Sequence, residues 1–154
     1  MMNKQPGSLH CFVCGVENPY GLHLKFYNSE PGEVVAEITV PESFQGYPGM
    51  VHGGVIAAML DEVAGRTHMR GDPVRFMVTA QLNIRYRKPV PIGQPLRLLG
   101  HAGEVHGRVA KATGEIFASD GTLLVEAQLV LVDIPDNILQ GVNYEALGWK
   151  VYPD

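Results

Sequence analysis

The chain has 154 residues, a formal net charge of −4, 45% hydrophobic and 18% charged residues. These proportions suit one folded, soluble domain. They exclude several classes: no apolar run approaches the ~18–20 residues that span a bilayer, the opening MMNKQPGSLHCFVCG lacks the apolar core of a secretory signal, and two cysteines make no disulfide framework. The cytoplasm is the expected compartment, with no membrane partner.

The net charge hides an asymmetry. Residues 66–111 carry nine basic residues against Asp72 and Glu104, a balance of +7, which leaves −11 on the rest of the chain. A positive centre in an acidic protein points to an anionic ligand or to scattered solvated faces. With a pI near 5.8 and no aromatic-rich basic stripe, nucleic acid is not an expected partner.

In chain order, residues 1–21 read as a loop-rich segment, 22–132 as the main domain and 133–154 as a tail whose Tyr144, Trp149 and Tyr152 favour docking over floating free. GLHLKFYN and GEVVAEITV read as two strands around a turn at Ser29–Gly32. ESFQGYPGMV reads as a loop. A helix is expected from about Gly54 to Arg70, stopped by Gly71-Asp72-Pro73. FMVTAQLNIRYRKPV then alternates, with Val78, Ala80, Leu82, Ile84 and Tyr86 on one face and Thr79, Gln81, Asn83, Arg85 and Arg87 on the other. PLRLLGHAGEV, RVAKATGEIFAS and TLLVEAQLVLV complete the set, with breaks at Gly103 and Gly107 and a hairpin at Asp120-Gly121. One long helix on a mostly antiparallel sheet is an α+β architecture, and its edge strands are candidates for pairing with a second copy.

The helix has an unusual face. At about 100° per residue, Asp61 shares its side with Gly54, Ala57, Ala58, Ala64, Gly65 and His68, while Val55, Ile56, Met59, Leu60 and Val63 lie opposite. Solvated faces are normally lined with Lys, Glu, Arg and Gln. Small residues around one carboxylate imply that a second helix or a ligand comes close. Glu62, four residues before Arg66, reads as half of a solvent-facing ion pair. At the helix start, Gly53 and Gly54 either make a tight turn or bare N–H groups that a developing oxyanion can reach.

The run G-M-V-H-G-G with L-D-E behind it, then V-T-A-Q-L-N-I-R-Y-R-K-P-V and a later D-G hairpin, resembles the hotdog-fold thioesterases, in particular their PaaI-like branch. The leader C-F-V-C-G-V-E-N-P-Y-G-L-H-L resembles one found in part of that family. The resemblance covers roughly residues 11–132. It implies a sheet wrapped around one helix, a homodimer or dimer of dimers, and hydrolysis of an acyl-CoA or acyl-carrier-protein thioester with no cofactor. Asp61 falls at the family's catalytic acid, general base or nucleophile. Gly53 falls at the residue whose N–H polarises the thioester carbonyl, His52 at the positioning histidine, and Thr79 where a hydroxyl helps orient water. The acid of one subunit is expected to face the helix start of the other. Arg85, Arg87 and Lys88 become candidates for the CoA phosphates. Gly54, Gln45, Gly65 and His68 become candidates for lining the substrate channel. The chain departs from the pattern at Gly46, where many members carry Asn or Gln, and at Gly65, where some carry a hydroxyl. Those departures favour a second reading, a non-catalytic module that binds an acyl or CoA ligand or serves as a dimeric scaffold. A hydratase of the same fold fits less well, because His52 precedes the glycines.

Cys11 and Cys14, with His10 and His23 nearby, have half of a zinc pattern, but a closed site needs four ligands. The pair reads as a packed loop, and no metal is expected.

Overall fold

The computed structural model describes residues 1–71 and 74–154. Seven strands form one antiparallel sheet: β1 (Asn3–Lys4), β2 (Tyr27–Glu30), β3 (Glu33–Thr39), β4 (Met77–Tyr86), β5 (Pro95–His106), β6 (Val109–Ala118) and β7 (Leu123–Asp133), in the order β1-β2-β3-β5-β6-β7-β4. Helix α1 (Gly53–Gly65) lies across the sheet, and a single turn, α2 (Asp136–Leu139), begins the tail. This is the hotdog arrangement that the resemblance implied.

Period-two alternation builds the sheet's inner face. Leu96 and Leu98 of β5, Ala110, Ala112 and Ile116 of β6, and Val125, Ala127, Leu129 and Leu131 of β7 are all buried. They meet Ile56, Met59, Leu60, Val63 and Ala64 of α1. Each Val, Leu, Ile or Met among them contributes about 1.5–3 kcal/mol on burial. Ala64, assigned to the Asp61 side on the helical wheel, is fully buried and belongs to the core face. The helix can lie low because Gly100 and Gly114 stand opposite each other on β5 and β6. A Cβ on Gly100 would lie 2.4 Å from the Val63 carbonyl oxygen, and one on Gly114 would lie 3.3 Å from the Leu60 side chain.

Three expectations need correction. The helix starts at Gly53 and ends at Gly65, after which Arg66–His68 tighten into a 3₁₀ turn. The Thr67 hydroxyl bonds back to the Ala64 carbonyl there. Gly71 lies in a turn at φ 93°, while the expected stop at Asp72 and Pro73 lies outside the described residues. The strand expected over GLHLKFYN is confined to Tyr27–Glu30. Leu22, Leu24 and Phe26 are buried as their alternation implies, but the backbone of the first two bonds to Phe12 and Val13 of the N-terminal segment rather than to the sheet. Gly103 does not break β5; the pairing shifts between Ala102 and Val105 instead, and the turn falls at Gly107.

Both ends of the chain are tied in. Val13 and Cys14 belong to the main core. Tyr144 and Trp149 of the tail pack on Phe76 with ring centroids 5.6 Å away. Gly7 and Lys150 exchange backbone hydrogen bonds.

Candidate active site

Helix α1 is capped by its own histidine. His52 has extended backbone angles, and its Nδ1 accepts the Gly54 N–H at 2.9 Å, which places the proton of the neutral ring on Nε2. The Val55 and Ile56 N–H groups go to the His52 carbonyl. The Gly53 N–H has no acceptor among the described residues, and His52, Gly53 and Gly54 are exposed. Of the two glycine N–H groups read as bare in the sequence, one is already taken and one is free. The Tyr86 hydroxyl donates to the Gly53 carbonyl at 2.8 Å and pins the first turn of α1 to the end of β4. Tyr86 stays on the face of Leu82 and Ile84 but is half exposed and lines the cleft.

A cleft of about 730 Å³ opens at this helix start, with Gln45, His52, Gly53, Tyr86, Arg87 and Lys88 among its lining residues. Gln45 is held by its Oε1, which accepts the Gly49 N–H at 3.2 Å. The positive segment does not form one patch. Arg87 and Lys88 reach the cleft, with Arg87 bonded to Glu126 at 2.8 Å. Arg85 lies elsewhere, in a polar groove with Asn83, Thr113 and Glu126. Arg75 pairs with Asp133, and Arg66 is buried.

Asp61 lies two turns further along α1, half-buried, and Thr79 donates its hydroxyl to Asp61 Oδ1 at 2.5 Å. Strict alternation had put Thr79 on the opposite face from Leu82 and Ile84. A bulge in β4 between Thr79 and Gln81 shifts the register by one, so Thr79 shares the inner face while Val78 and Ala80 are exposed. Nothing in the sequence marks that bulge. Gly65, one turn after Asp61, has open space where a side chain would lie. His68 is buried away from this face, its Nε2 bonded to the Lys111 carbonyl at 2.8 Å. The chain thus brings together two groups, Gln45–His52–Gly53–Arg87–Lys88 and Asp61–Thr79, and leaves Arg85 and His68 outside both.

A further cluster lies one residue along from Asp61. Glu62 is half-buried rather than solvent-facing. Its Oε1 takes both Nε and Nη2 of the buried Arg66 at 2.9 Å. The remaining donors of Arg66 go to Gln5 and to the Pro6 carbonyl, and its guanidinium lies over Phe26 and Trp149. Burial pushes the Glu62 carboxyl up, with Arg66 opposing. The Cys14 side chain, aided by the N–H groups of Cys14 and Val13, draws the Cys11 thiol down to about 6. Its bond to Cys11 and its burial push the Cys14 thiol up.

The sequence profile of the thioesterase superfamily matches residues 48–125, from the loop before His52 into β7. The chain belongs to the thioesterase superfamily. It is 32% identical over 139 residues to the acyl-coenzyme A thioesterase THEM4 of Rattus norvegicus, a match that covers 88% of this chain and 59% of that protein. It spans about half the length of that and the comparable frog, mouse and cattle relatives. Among solved structures, a thioesterase superfamily protein is 36% identical with a TM-score of 0.75, covering 80% of this chain and 60% of that one. The E. coli PaaI protein of the phenylacetic acid degradation operon shares the fold at 15% identity, with a TM-score of 0.67 over 74% of this chain and 81% of that one.

Proposed function

We propose that this thioesterase-superfamily chain hydrolyses acyl-CoA thioesters at sites completed between two copies. The observation that carries the reading is the Thr79–Asp61 hydrogen bond. It orients one carboxylate oxygen and leaves Oδ2 to take a proton from water or to attack the carbonyl itself. The relatives named acyl-coenzyme A thioesterase support the substrate class.

Geometry supports the shared site. Gly53 and Asp61 are eight residues apart on one helix, which is about 12 Å along its axis. An oxyanion donor and a base must each lie about 3 Å from the reacting group, so one chain's pair cannot grip one carbonyl. Strand β4, which carries Thr79, forms an edge of the sheet with Val78 exposed, a ready place for a second copy to pair. In the assembled dimer, the Gly53 N–H of one copy holds the carbonyl oxygen and Asp61 of the other activates water. The tetrahedral intermediate collapses with loss of the CoA thiolate, which takes up a proton as the acid is released. Gln45, Arg87 and Lys88, at the cleft beside Gly53, meet the phosphate-bearing end of the substrate.

The test is thiol release across short, medium, long and aryl acyl-CoA esters. Wild type turns over at least one class, and Asp61→Asn loses turnover with its circular dichroism unchanged. Full activity in Asp61→Asn would overturn the assignment; silence of the wild type across the panel would favour the binding-module reading.

A further inference from the structure

The Cys11/Cys14/Glu62 cluster is used by neither half of the proposed site. The two sulfurs and a Glu62 carboxylate oxygen all lie within 4.8 Å of one another. Tetrahedral zinc, with bonds of about 2.3 Å to sulfur, needs ligand atoms roughly 3.8 Å apart, inside that span. The sequence reads the cysteine pair as a packed loop without metal and offers only His10 and His23 as nearby groups. The fold brings in Glu62 of α1 instead, while His23 turns its Nε2 to the Asn18 carbonyl.

From this geometry we infer that Cys11, Cys14 and Glu62 form a binding site for a zinc-class divalent ion, with a fourth position open to water. Three features of the site are built for a cation. The Cys11-Phe12-Val13-Cys14-Gly15 turn directs the Val13 and Cys14 N–H groups at Cys11 Sγ, at 3.3 and 3.5 Å. Such bonds orient a ligating sulfur and stabilise it as thiolate. The turn admits only glycine at position 15, where a Cβ would lie 2.4 Å from the Cys11 carbonyl oxygen. Arg66 engages Glu62 through Oε1 alone, which leaves Oε2 without a hydrogen bond to the described residues. The charges also fit. Metal binding strips the protons from its ligands, and two thiolates and a carboxylate against one guanidinium would then leave two net negative charges, which one divalent cation cancels. A disulfide couple would need neither the carboxylate nor the buried arginine behind it. Two thiolates with one carboxylate favour zinc over calcium or magnesium, which take oxygen ligands. The ion would clip the N-terminal segment to α1 one residue from Asp61.

The test uses the full chain, reduced, stripped with a chelator and titrated with Co²⁺. The expected result is thiolate-to-cobalt charge-transfer absorption that saturates at one ion per chain and disappears when Zn²⁺ is added. Cys11→Ser, at the half-exposed position, abolishes the absorption. Glu62→Gln weakens binding by more than the roughly 10–100-fold that losing a mere supporting group costs at a metal site, because it removes a ligand. Three results would each overturn the site: wild type with no charge-transfer absorption, Cys11→Ser that keeps it, or Glu62→Gln that binds as wild type does. Closure of the two cysteines to a disulfide in preference to cobalt binding under mild oxidant would also overturn it.

Discussion

At the scale of residues, the proposed site depends on one hydroxyl. Thr79 is the only described side chain that donates to Asp61, and a hydrogen bond to a charged group contributes about 1.5–3 kcal/mol. Thr79→Val keeps the shape and removes the bond, so kcat is expected to fall about 10–100-fold, while Thr79→Ser retains most activity. Steady-state kinetics on one acyl-CoA ester check both, and a Thr79→Val enzyme at wild-type kcat would remove the threonine from the mechanism. Asp61 stands out as a candidate in the sequence because a lone acid on a face of Ala and Gly has few structural reasons to exist. Thr79 was legible only by resemblance, since alternation pointed it the other way. Glu62 was misread because i,i+4 spacing reports the Arg66 partner but not the Phe26, Trp149 and cysteine side chains that enclose the pair.

At the scale of elements, the helix seat is the sharpest constraint. Gly100→Ala forces a methyl into the Val63 backbone, and the helix must rise from the sheet. Overpacking of this kind costs about 1–3 kcal/mol, to be read as a lower urea midpoint with an unchanged slope. Unchanged stability would mean that α1 rides higher than described. Strands β5, β6 and β7 were legible from their apolar alternation, and the hairpin after β6 from Asp120-Gly121, where Gly121 adopts φ 87°. The bulge in β4 was not, because the extra residue, Ala80, carries no conformational flag. The segment before β2 misled for a related reason. Its alternation is real, but it packs against Phe12 and Val13, which no local pattern reveals.

At the scale of the whole molecule, the chain presents two groups of residues, proposed as half-sites, that do not meet. The first is the helix start with its cleft, Gln45, Arg87 and Lys88; the second is Asp61 with Thr79. The positive segment, which the sequence leaves open as an anion site or as scattered charges, is scattered: among its members, Arg87 and Lys88 reach the cleft, Arg85 a polar groove, Arg75 pairs with Asp133 and Arg66 is buried. Fold distributes charge in ways that a sum over sequence cannot follow. The proposed site joins one copy's Gly53 to another copy's Asp61, and mixing two disabled chains tests that pairing directly. Gly53→Pro deletes the unpaired N–H at a position where proline is favoured, the first of the helix. The preceding His52, at φ −60° and ψ 136°, already has the angles proline requires of its neighbour. Asp61→Asn and Gly53→Pro are each expected to be inactive alone. Co-expressed in equal amounts they should recover about a quarter of wild-type activity, because half the dimers are mixed and each mixed dimer holds one intact site. A mixed sample as inactive as its parents would contradict the shared site.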